Sequence, residues 1–391
     1  MTMESGFFKW TKGSSLNYST SIASSWIWAP AIFISSQQAY TNGIAGFLMF
    51  FLPNFFTLML FGYVASYVRQ RIEGYTVIDA LRASPVYQQY IHLGIYILIV
   101  LCSTCTQIIG MQMLLNVFIK DKMLIAIVLS VFAVVLVWKQ GLKASIITDA
   151  YKYIVMLICA VILLVNVNGE INFSGISVQS SWDMFKSFGA ITALGLLSGV
   201  YSDMTLWQRA FSIPKENVKK CFVKAGYGFA IIPLIFGMIG FYCGGNGDRW
   251  SLPVQYSSGI LNVVLIICVT STLMATLDSN LCAMAAIPCK MFGKRLIWGR
   301  TAMSMVLVIA CVLTSTDLFS LTYMFLAYNT LRACIAIPTL LIIFDSYDKR
   351  RLFIATVIAI FVALTGYLLT TNWIFTVLGF IIPIAGFKHR Q

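Results

Sequence analysis

Long apolar segments separated by short polar loops recur from one end of the chain to the other. Their lengths suit helices that cross a bilayer, and no stretch between them has room for a soluble domain. The longest loops are 69–89 and 167–186. The pattern predicts an all-α, polytopic membrane protein with about twelve transmembrane helices. Their predicted bounds are 20–36, 44–68, 90–118, 122–138, 142–166, 187–207, 222–243, 258–287, 297–315, 318–344, 351–370 and 372–387.

Composition supports a membrane protein and argues against two other classes. Hydrophobic residues make up 59% of the chain and charged ones 10%, whereas soluble proteins average about 25% charged residues. The net charge of +13 does not indicate nucleic acid binding, because Lys and Arg lie in short loops between apolar segments. Only two His residues occur and they form no metal-type pair, so an enzyme is not expected. Cys102 and Cys105 lie inside an apolar segment, which favours packing over redox chemistry.

The basic residues predict the orientation. With the N-terminus inside, basic residues of the inside loops, among which we count Arg209, outnumber those outside by about five to one, in agreement with the positive-inside rule. The outside loops hold only Lys120, Lys122, Lys186 and Arg249. We therefore expect a multi-pass protein of the plasma membrane with both termini in the cytoplasm.

The first predicted span carries residues that interrupt a helix. Ser21, Ser24, Ser25 and Pro30 fall within an uncharged apolar stretch. A carbonyl freed in lipid is costly unless something satisfies it, and helices with exposed carbonyls near mid-membrane commonly bind sodium. The alternative is a Pro-kinked helix whose carbonyls are satisfied by neighbouring hydroxyls.

The eighth predicted span is rich in oxygen donors. Thr272, Thr276 and Ser279 recur at spacings of four and three, so they share one helical face. Such a face suits a small hard cation. The alternative is that each hydroxyl bonds the carbonyl one turn back in its own helix.

Five ionisable residues inside predicted spans are candidates for a functional role, because such residues are rare in membrane helices and usually functional. Asp149 and Lys152 share a helix face and can pair. Asp203 lies late in span six, Asp278 in span eight and Arg332 in the middle of span ten. For each of them, the alternative is a structural ion pair.

The chain carries four motifs at separate places. In chain order they are Ala23-Ser-Ser-Trp-Ile-Trp-Ala29, Gly141-Leu-Lys-Ala-Ser-Ile-Ile-Thr-Asp149, Tyr201-Ser-Asp-Met-Thr-Leu-Trp-Gln-Arg209 and Met274-Ala-Thr-Leu-Asp-Ser-Asn-Leu281. They resemble motifs of the sodium:solute symporter family, whose members transport proline, sugars, pantothenate or urea. The first motif is most similar to the urea-transporter branch, and the resemblance covers about residues 15 to 345.

The resemblance implies a LeuT-type fold, in which two five-helix repeats are inverted relative to each other. They would cover 20–166 and 187–345, after a cytoplasmic segment 1–19 and before two further helices over 351–387. The extra helix that usually precedes the core is not expected.

The resemblance also implies a sodium site between the first and eighth spans. Its ligands would be the carbonyls of Ala23, Trp26 and Thr272 and the hydroxyl of Thr276. The family's second hydroxyl falls on Ala275, which has none. Asp149 matches a family residue that helps the ion leave inward.

These observations predict a secondary active transporter that couples sodium to the symport of a small polar solute by alternating access, without an organic cofactor. An uncoupled facilitator or channel, favoured by Ala275, and a sensor or degenerate homologue remain as alternatives. The sequence does not choose between urea or an amide, favoured by the Trp-Ile-Trp segment, and an amino-acid-like carboxylate, favoured by Arg332. Oligomeric state cannot be read from it. The candidate solute contacts are Trp28, Gln107, Tyr201, Asp203, Trp207, Tyr328 and Arg332.

Overall fold

The computed structural model describes residues 7–116, 118–176, 180–242, 256, 259–316 and 318–388. Within these ranges the chain is helical, and the only strand-like pairing is a single bridge between Tyr347 and Phe387. The predicted span ends at 243 and 258, the predicted outside residue Arg249 and the first six residues of segment 1–19 lie outside the described residues.

Fourteen helices are described. They are α1 (Ser15–Trp26), α2 (Ala29–Arg71), α3 (Val77–Leu81), α4 (Val86–Leu115), α5 (Lys122–Val137), α6 (Leu142–Val165), α7 (Ser181–Ser202), α8 (Met204–Ser212), α9 (Lys215–Tyr242), α10 (Gly259–Met291), α11 (Leu296–Ser315), α12 (Leu321–Ile343), α13 (Lys349–Thr370) and α14 (Trp373–Gly386).

The helices agree with a chain that crosses a membrane about twelve times. Nine of the described helices are long and apolar enough to cross, and α5 and α14 are shorter apolar helices. The long helix α2 counts as parts of two spans because Gly43 breaks it with a positive φ of 61°. Ser36 and Phe47, on the two sides of Gly43, both approach the same end of α9, at Gly240 and Gly237. The chain therefore turns sharply at Gly43.

Two ends of the helix bundle can be distinguished by charge. The loops between α2 and α4, α5 and α6, α8 and α9, α10 and α11, and α12 and α13 lie at one end, here called the basic end. Cation–π contacts hold several of its cations against aromatic rings, including Lys290 on Tyr75 and Arg300 on Trp138. The loops before α5, α7 and α12 lie at the opposite end.

The helices α4, α7, α9 and α12 are mostly buried, whereas α13 and α14 pack on the outside of α12. A hydrogen bond of 2.8 Å joins the hydroxyls of Thr330 in α12 and Thr376 in α14. Gly379 of α14 approaches Ala363 of α13 and Cys334 of α12 so closely that a methyl group would clash with both. The two last helices thus form a packed hairpin against the core.

Candidate functional site

The predicted interruption of the first span lies at Ile27 and Trp28. Both residues have extended backbone angles between the end of α1 and the start of α2. The helix restarts at Ala29 with Pro30 in its first turn, where a missing N–H costs nothing. The N–H of Ala29 donates to Oε1 of Gln107, 2.9 Å away in α4. The predicted solute residue Gln107 therefore fixes the start of the second half-helix.

One side of the interruption faces α10 and is lined with oxygen. The Thr276 hydroxyl donates to the carbonyls of Ser25, at 3.1 Å, and Ile27, at 3.3 Å. Of the carbonyls that the resemblance implied, that of Ala23 accepts the N–H of Ile27 at 2.9 Å. The structure thus brings Thr276 against the break, next to the carbonyls that flank Trp26.

Two further predicted sodium residues, Thr272 and Ala275, lie on α10 with Thr276. The Thr272 hydroxyl donates to the Cys268 carbonyl at 2.8 Å, one turn back in α10. The buried Ala275 has its carbonyl occupied by the Ser279 hydroxyl at 2.6 Å. Both contacts match the within-helix alternative for this face, whereas Thr276 reaches across to the first span.

The other side of the interruption faces α12 and is lined with aromatic rings. The guanidinium carbon of Arg332 lies 4.1 Å from the ring centroid of Tyr328, 4.9 Å from that of Trp26 and 5.6 Å from that of Trp28. The Trp28 ring also contacts Phe325 at a centroid distance of 5.4 Å. Three aromatic rings therefore contact a buried cation, and cation–π attraction stabilises the charged guanidinium in this position.

Asp203 is the ionic partner of Arg332. Its Oδ2 accepts from Nη2 of Arg332 at 2.7 Å, in a pair that is almost fully buried. Its Oδ1 accepts from the backbone N–H and hydroxyl of Thr205 and, at 3.3 Å, from the N–H of Leu206. Asp203 is therefore the N-cap of α8 and is held in place by that helix.

Four donor atoms in this cluster have no acceptor among the residues that the structure describes. They are Nε and Nη1 of Arg332 and the indole nitrogens of Trp26 and Trp28. All four are buried. Unpaired buried donors are uncommon in native proteins and require an explanation such as a ligand.

Two glycines of α7 allow the cluster to form. A Cβ at Gly195 would lie 2.1 Å from Cβ of Asn329, and one at Gly199 would lie 2.5 Å from Cδ of Arg332. The spacing of four places both glycines on one face of α7, which lets α12 approach closely, as small residues do between membrane helices.

The remaining predicted solute residues lie beside this cluster. The Trp207 ring packs on Phe61 at a centroid distance of 4.8 Å, and its indole N–H donates to the carbonyl of Tyr201 at 3.0 Å. Tyr201 also contacts Phe61. The structure therefore gathers Trp28, Asp203, Tyr328 and Arg332 in one cluster, while Trp207 and Tyr201 contact Phe61 of α2.

Nearer the basic end, four buried or nearly buried charges form a second cluster, the four-charge network. Asp149 accepts from Nη2 of Arg209 at 2.8 Å and from Nζ of Lys152 at 3.3 Å. The second carboxylate, Asp278, pairs with the same Lys152. Two carboxylates thus face two cations, and the formal charges of the network cancel.

Three serine hydroxyls extend the network to other helices. Ser21 of α1 donates to Asp149 at 2.7 Å, Ser145 of α6 donates to Asp278 at 2.9 Å, and Ser279 of α10 accepts from Arg209 at 2.7 Å. The network therefore ties α1, α6, α8 and α10 together between the interruption and the basic end.

Sequence reasoning did not identify Arg209 as part of a site, because we counted it with the loop cations. The structure buries it completely in α8. One signal was available, since Trp207, Ala210 and Phe211 all lie within two residues of Arg209, and such apolar residues are more typical of a buried helix than of a loop.

A cavity of about 350 Å³ lies at the end opposite to the basic end. It lies between the second half of the first span and the ends of α4 and α11, before the start of α12. Polar side chains line much of it, among them Gln37, Gln112, Asn116, Thr316 and Ser320.

Comparison with known proteins identifies the fold. No family model matches the chain, and no curated protein matches it. Among solved structures, a Na⁺-coupled sialic acid symporter in a substrate-bound outward-open state is similar over 98% of this chain and 91% of its own, with a TM-score of 0.73 and 15% identity. The chain has the LeuT-type fold of this transporter.

Two further structures agree. Mhp1, a nucleobase-cation-symport-1 family transporter with bromovinylhydantoin bound, matches 98% of this chain and 93% of its own, with a TM-score of 0.68 and 11% identity. MhsT in complex with L-phenylalanine matches 96% of this chain and 97% of its own, with a TM-score of 0.60 and 14% identity. The predicted fold class is thereby confirmed, whereas the urea-transporter branch stays a prediction.

Proposed function

We propose that the protein is a sodium-coupled symporter of a small polar solute that works by alternating access. One observation carries the proposal: the interruption at Ile27 and Trp28, together with the last two residues of α1, contacts two different groups of residues at once. Its carbonyls face Thr276, and its indole rings face Arg332. A change in the backbone here moves both sets of contacts, so an ion and a solute bound on the two sides would each affect the other.

The sodium ion, as cargo, would bind on the oxygen side. The carbonyls of Ser25 and Ile27 and the hydroxyl of Thr276 already converge within hydrogen-bonding distance. They supply the neutral hard oxygens that a sodium ion takes, and we propose them together with the carbonyls of Ala23, Trp26 and Thr272. Ala275 supplies no hydroxyl.

Alternating access needs one end closed while the other is open. The four-charge network joins α1, α6, α8 and α10 on the side of the basic end. We propose that the basic end is cytoplasmic, that the network is the inner closure, and that Asp149 helps the ion leave when this closure opens.

An uncoupled facilitator is the second candidate. Thr276 satisfies the carbonyls of Ser25 and Ile27 by itself, and Ala275 removes one oxygen from the implied set. A facilitator of the same fold would bind solute without any effect of sodium.

The dependence of thermal stability on sodium separates the two candidates. The melting temperature of the purified protein is measured with increasing NaCl, with choline chloride replacing it at constant ionic strength. A symporter is stabilised by sodium alone, by an amount that grows with the logarithm of concentration above Kd. Identical curves in sodium and choline contradict coupling.

A further inference from the structure

The chemistry around Arg332 identifies the kind of solute that this site accepts. The unpaired atoms within the aromatic cluster are two guanidinium nitrogens and two indole nitrogens, and all of them are donors. None of the four has a hydrogen-bond partner among the described residues. A ligand that pairs with these atoms must therefore bring acceptors, and several of them.

Asp203 does not supply these acceptors. One of its oxygens accepts from three donors of its own helix, and the other accepts from Nη2 of Arg332. Because the carboxylate caps α8, turning it toward the free side of the guanidinium would uncap that helix. The free donors of Arg332 are therefore left for a second anion.

We propose that the transported solute is a small carboxylate with a flat apolar body, bound as an anion by Arg332, Trp26 and Trp28. This inference rests on the proposed transport function. The carboxylate oxygens accept from the guanidinium and the indole N–H groups. The apolar body packs against the rings of Trp28, Tyr328 and Phe325. The ring centroids of Tyr328 and Phe325 each lie 5.4 Å from that of Trp28. Urea fits poorly, because its four N–H groups would face other donors.

Charge balance then connects the solute to sodium. Arg332 and Asp203 already neutralise each other, so a bound carboxylate adds one uncompensated negative charge in a buried site. A sodium ion supplies the compensating positive charge, and its proposed ligands lie close by, because the carbonyls of Ser25 and Ile27 flank Trp26 in the chain and Thr276 contacts both of them. Bound sodium therefore raises the affinity of the site for the carboxylate. The transport of one sodium ion with one carboxylate then moves no net charge across the membrane.

Matched pairs of probes test the solute class. Binding of benzoate and benzamide, of acetate and acetamide, and of urea is measured by isothermal titration calorimetry on the purified protein, with sodium or with choline. We expect the carboxylate of at least one pair to bind about tenfold more tightly than its amide, and more tightly in sodium than in choline. Tighter binding of the amides or of urea, or binding of none of the probes, overturns the proposal.

Variants locate the binding. Arg332→Gln alone leaves Asp203 buried without its cation, so the double variant Arg332→Gln with Asp203→Asn is used, which removes both charges together. It should lose carboxylate binding and keep its sodium-dependent stability. Trp26→Phe, which keeps an aromatic ring and removes the unpaired N–H, should weaken carboxylate binding by about tenfold.

Trp182→Phe is the matched control, since this exposed indole packs on Phe185 in the first turns of α7. Carboxylate binding should be unchanged in it, and an equal loss in Trp26→Phe and Trp182→Phe contradicts the site. Two results separate the failure of the solute class from the failure of the transport function. If the neutral probes bind more tightly in sodium than in choline, the carboxylate class is wrong and sodium coupling is kept. If the probes bind and sodium changes neither their binding nor the thermal stability, the sodium-coupled transport function is wrong.

Discussion

Arg332 and Asp203 form a buried ion pair, with 2.7 Å between Nη2 and Oδ2, that joins the middle of α12 to the start of α8. The pair connects the first and the last span of the second predicted repeat, and its cation lies against the interruption of the first span. Its structural role therefore has to be separated from the role in solute binding that we propose for Arg332.

Removing one partner of this pair tests the structural role. Arg332→Gln leaves the Asp203 carboxylate buried without its cation, so we expect it to lose about 3–5 kcal/mol of stability even without solute. The double variant with Asp203→Asn should recover most of this loss. Chemical denaturation in detergent, in the absence of solute, measures both. Equal stability of wild type and Arg332→Gln would show that the guanidinium faces water.

The close approach of α7 and α12 gives a second prediction. Gly195→Ala places a methyl group 2.1 Å from Cβ of Asn329, so it forces the helices apart and should cost about 1–3 kcal/mol. Gly94→Ala is the matched control, because no other atom lies within 4 Å of the added methyl group. Its stability should be unchanged or higher, as expected for alanine in a helix. Similar stabilities of the two variants would contradict the close approach.

Ligand number gives a prediction for the sodium site. Thr276→Ala removes an oxygen that faces the interruption, so the apparent Kd for sodium should rise by about tenfold or more. Ala275→Ser adds a hydroxyl on the neighbouring position and should lower the Kd. Sodium titrations of thermal stability compare these variants with wild type.

Thr356→Val is the control for this series, since the Thr356 hydroxyl donates to Leu352 within α13, away from the interruption. Its sodium dependence should match that of the wild type. If Thr276→Ala and Thr356→Val change the sodium response equally, Thr276 is not a ligand.

The four-charge network predicts how the basic end opens. Asp149→Asn leaves Arg209 and Lys152 facing the single carboxylate of Asp278. Repulsion between the two cations should then favour the separation of α1, α6, α8 and α10 at the basic end. Folding is expected to persist, because Lys152 can extend toward the interface. Sodium-driven turnover should slow, or require more sodium.

A natural cysteine reports this opening. Cys282 is buried one turn beyond Asp278 in α10, and its carbonyl accepts from Gln208 of α8. Maleimide labelling of Cys282, followed by mass spectrometry, should be about tenfold faster in Asp149→Asn, equivalent to about 1.4 kcal/mol. Asp183→Asn, which breaks the exposed pair with Lys186, is the control. Unchanged labelling in Asp149→Asn would make Asp149 a structural partner only.

Hydrophobic patterning predicted the fold well, because lipid leaves few alternatives to apolar helices of sufficient length. The interruption was also predictable, since Pro30 fits only the first turn of a helix without disturbing it. Its exact place, at Ile27 and Trp28, depends on tertiary contacts such as the bond from Ala29 to Gln107, which the local sequence does not contain.

The pairing of charges could not be read from the sequence. Asp203, Asp278 and a solute were equally available as partners of Arg332, and only the approach of α7 to α12 at Gly195 and Gly199 selects Asp203. Arg209 illustrates the same limit, because a cation near the end of a span can face either a loop or the core. The roles of the predicted sodium and solute residues stay predictions.

Uptake into proteoliposomes tests the coupling of the two sides of the interruption most directly. The labelled carboxylate that binds most tightly among the probes is followed with sodium outside only, with equal sodium on both sides, and with choline in place of sodium. A coupled symporter should accumulate the carboxylate above its external concentration under the sodium gradient alone, and should only equilibrate it when sodium is equal on both sides. Uptake at the same rate and to the same level in all three conditions would rule out coupling and identify the protein as a facilitator.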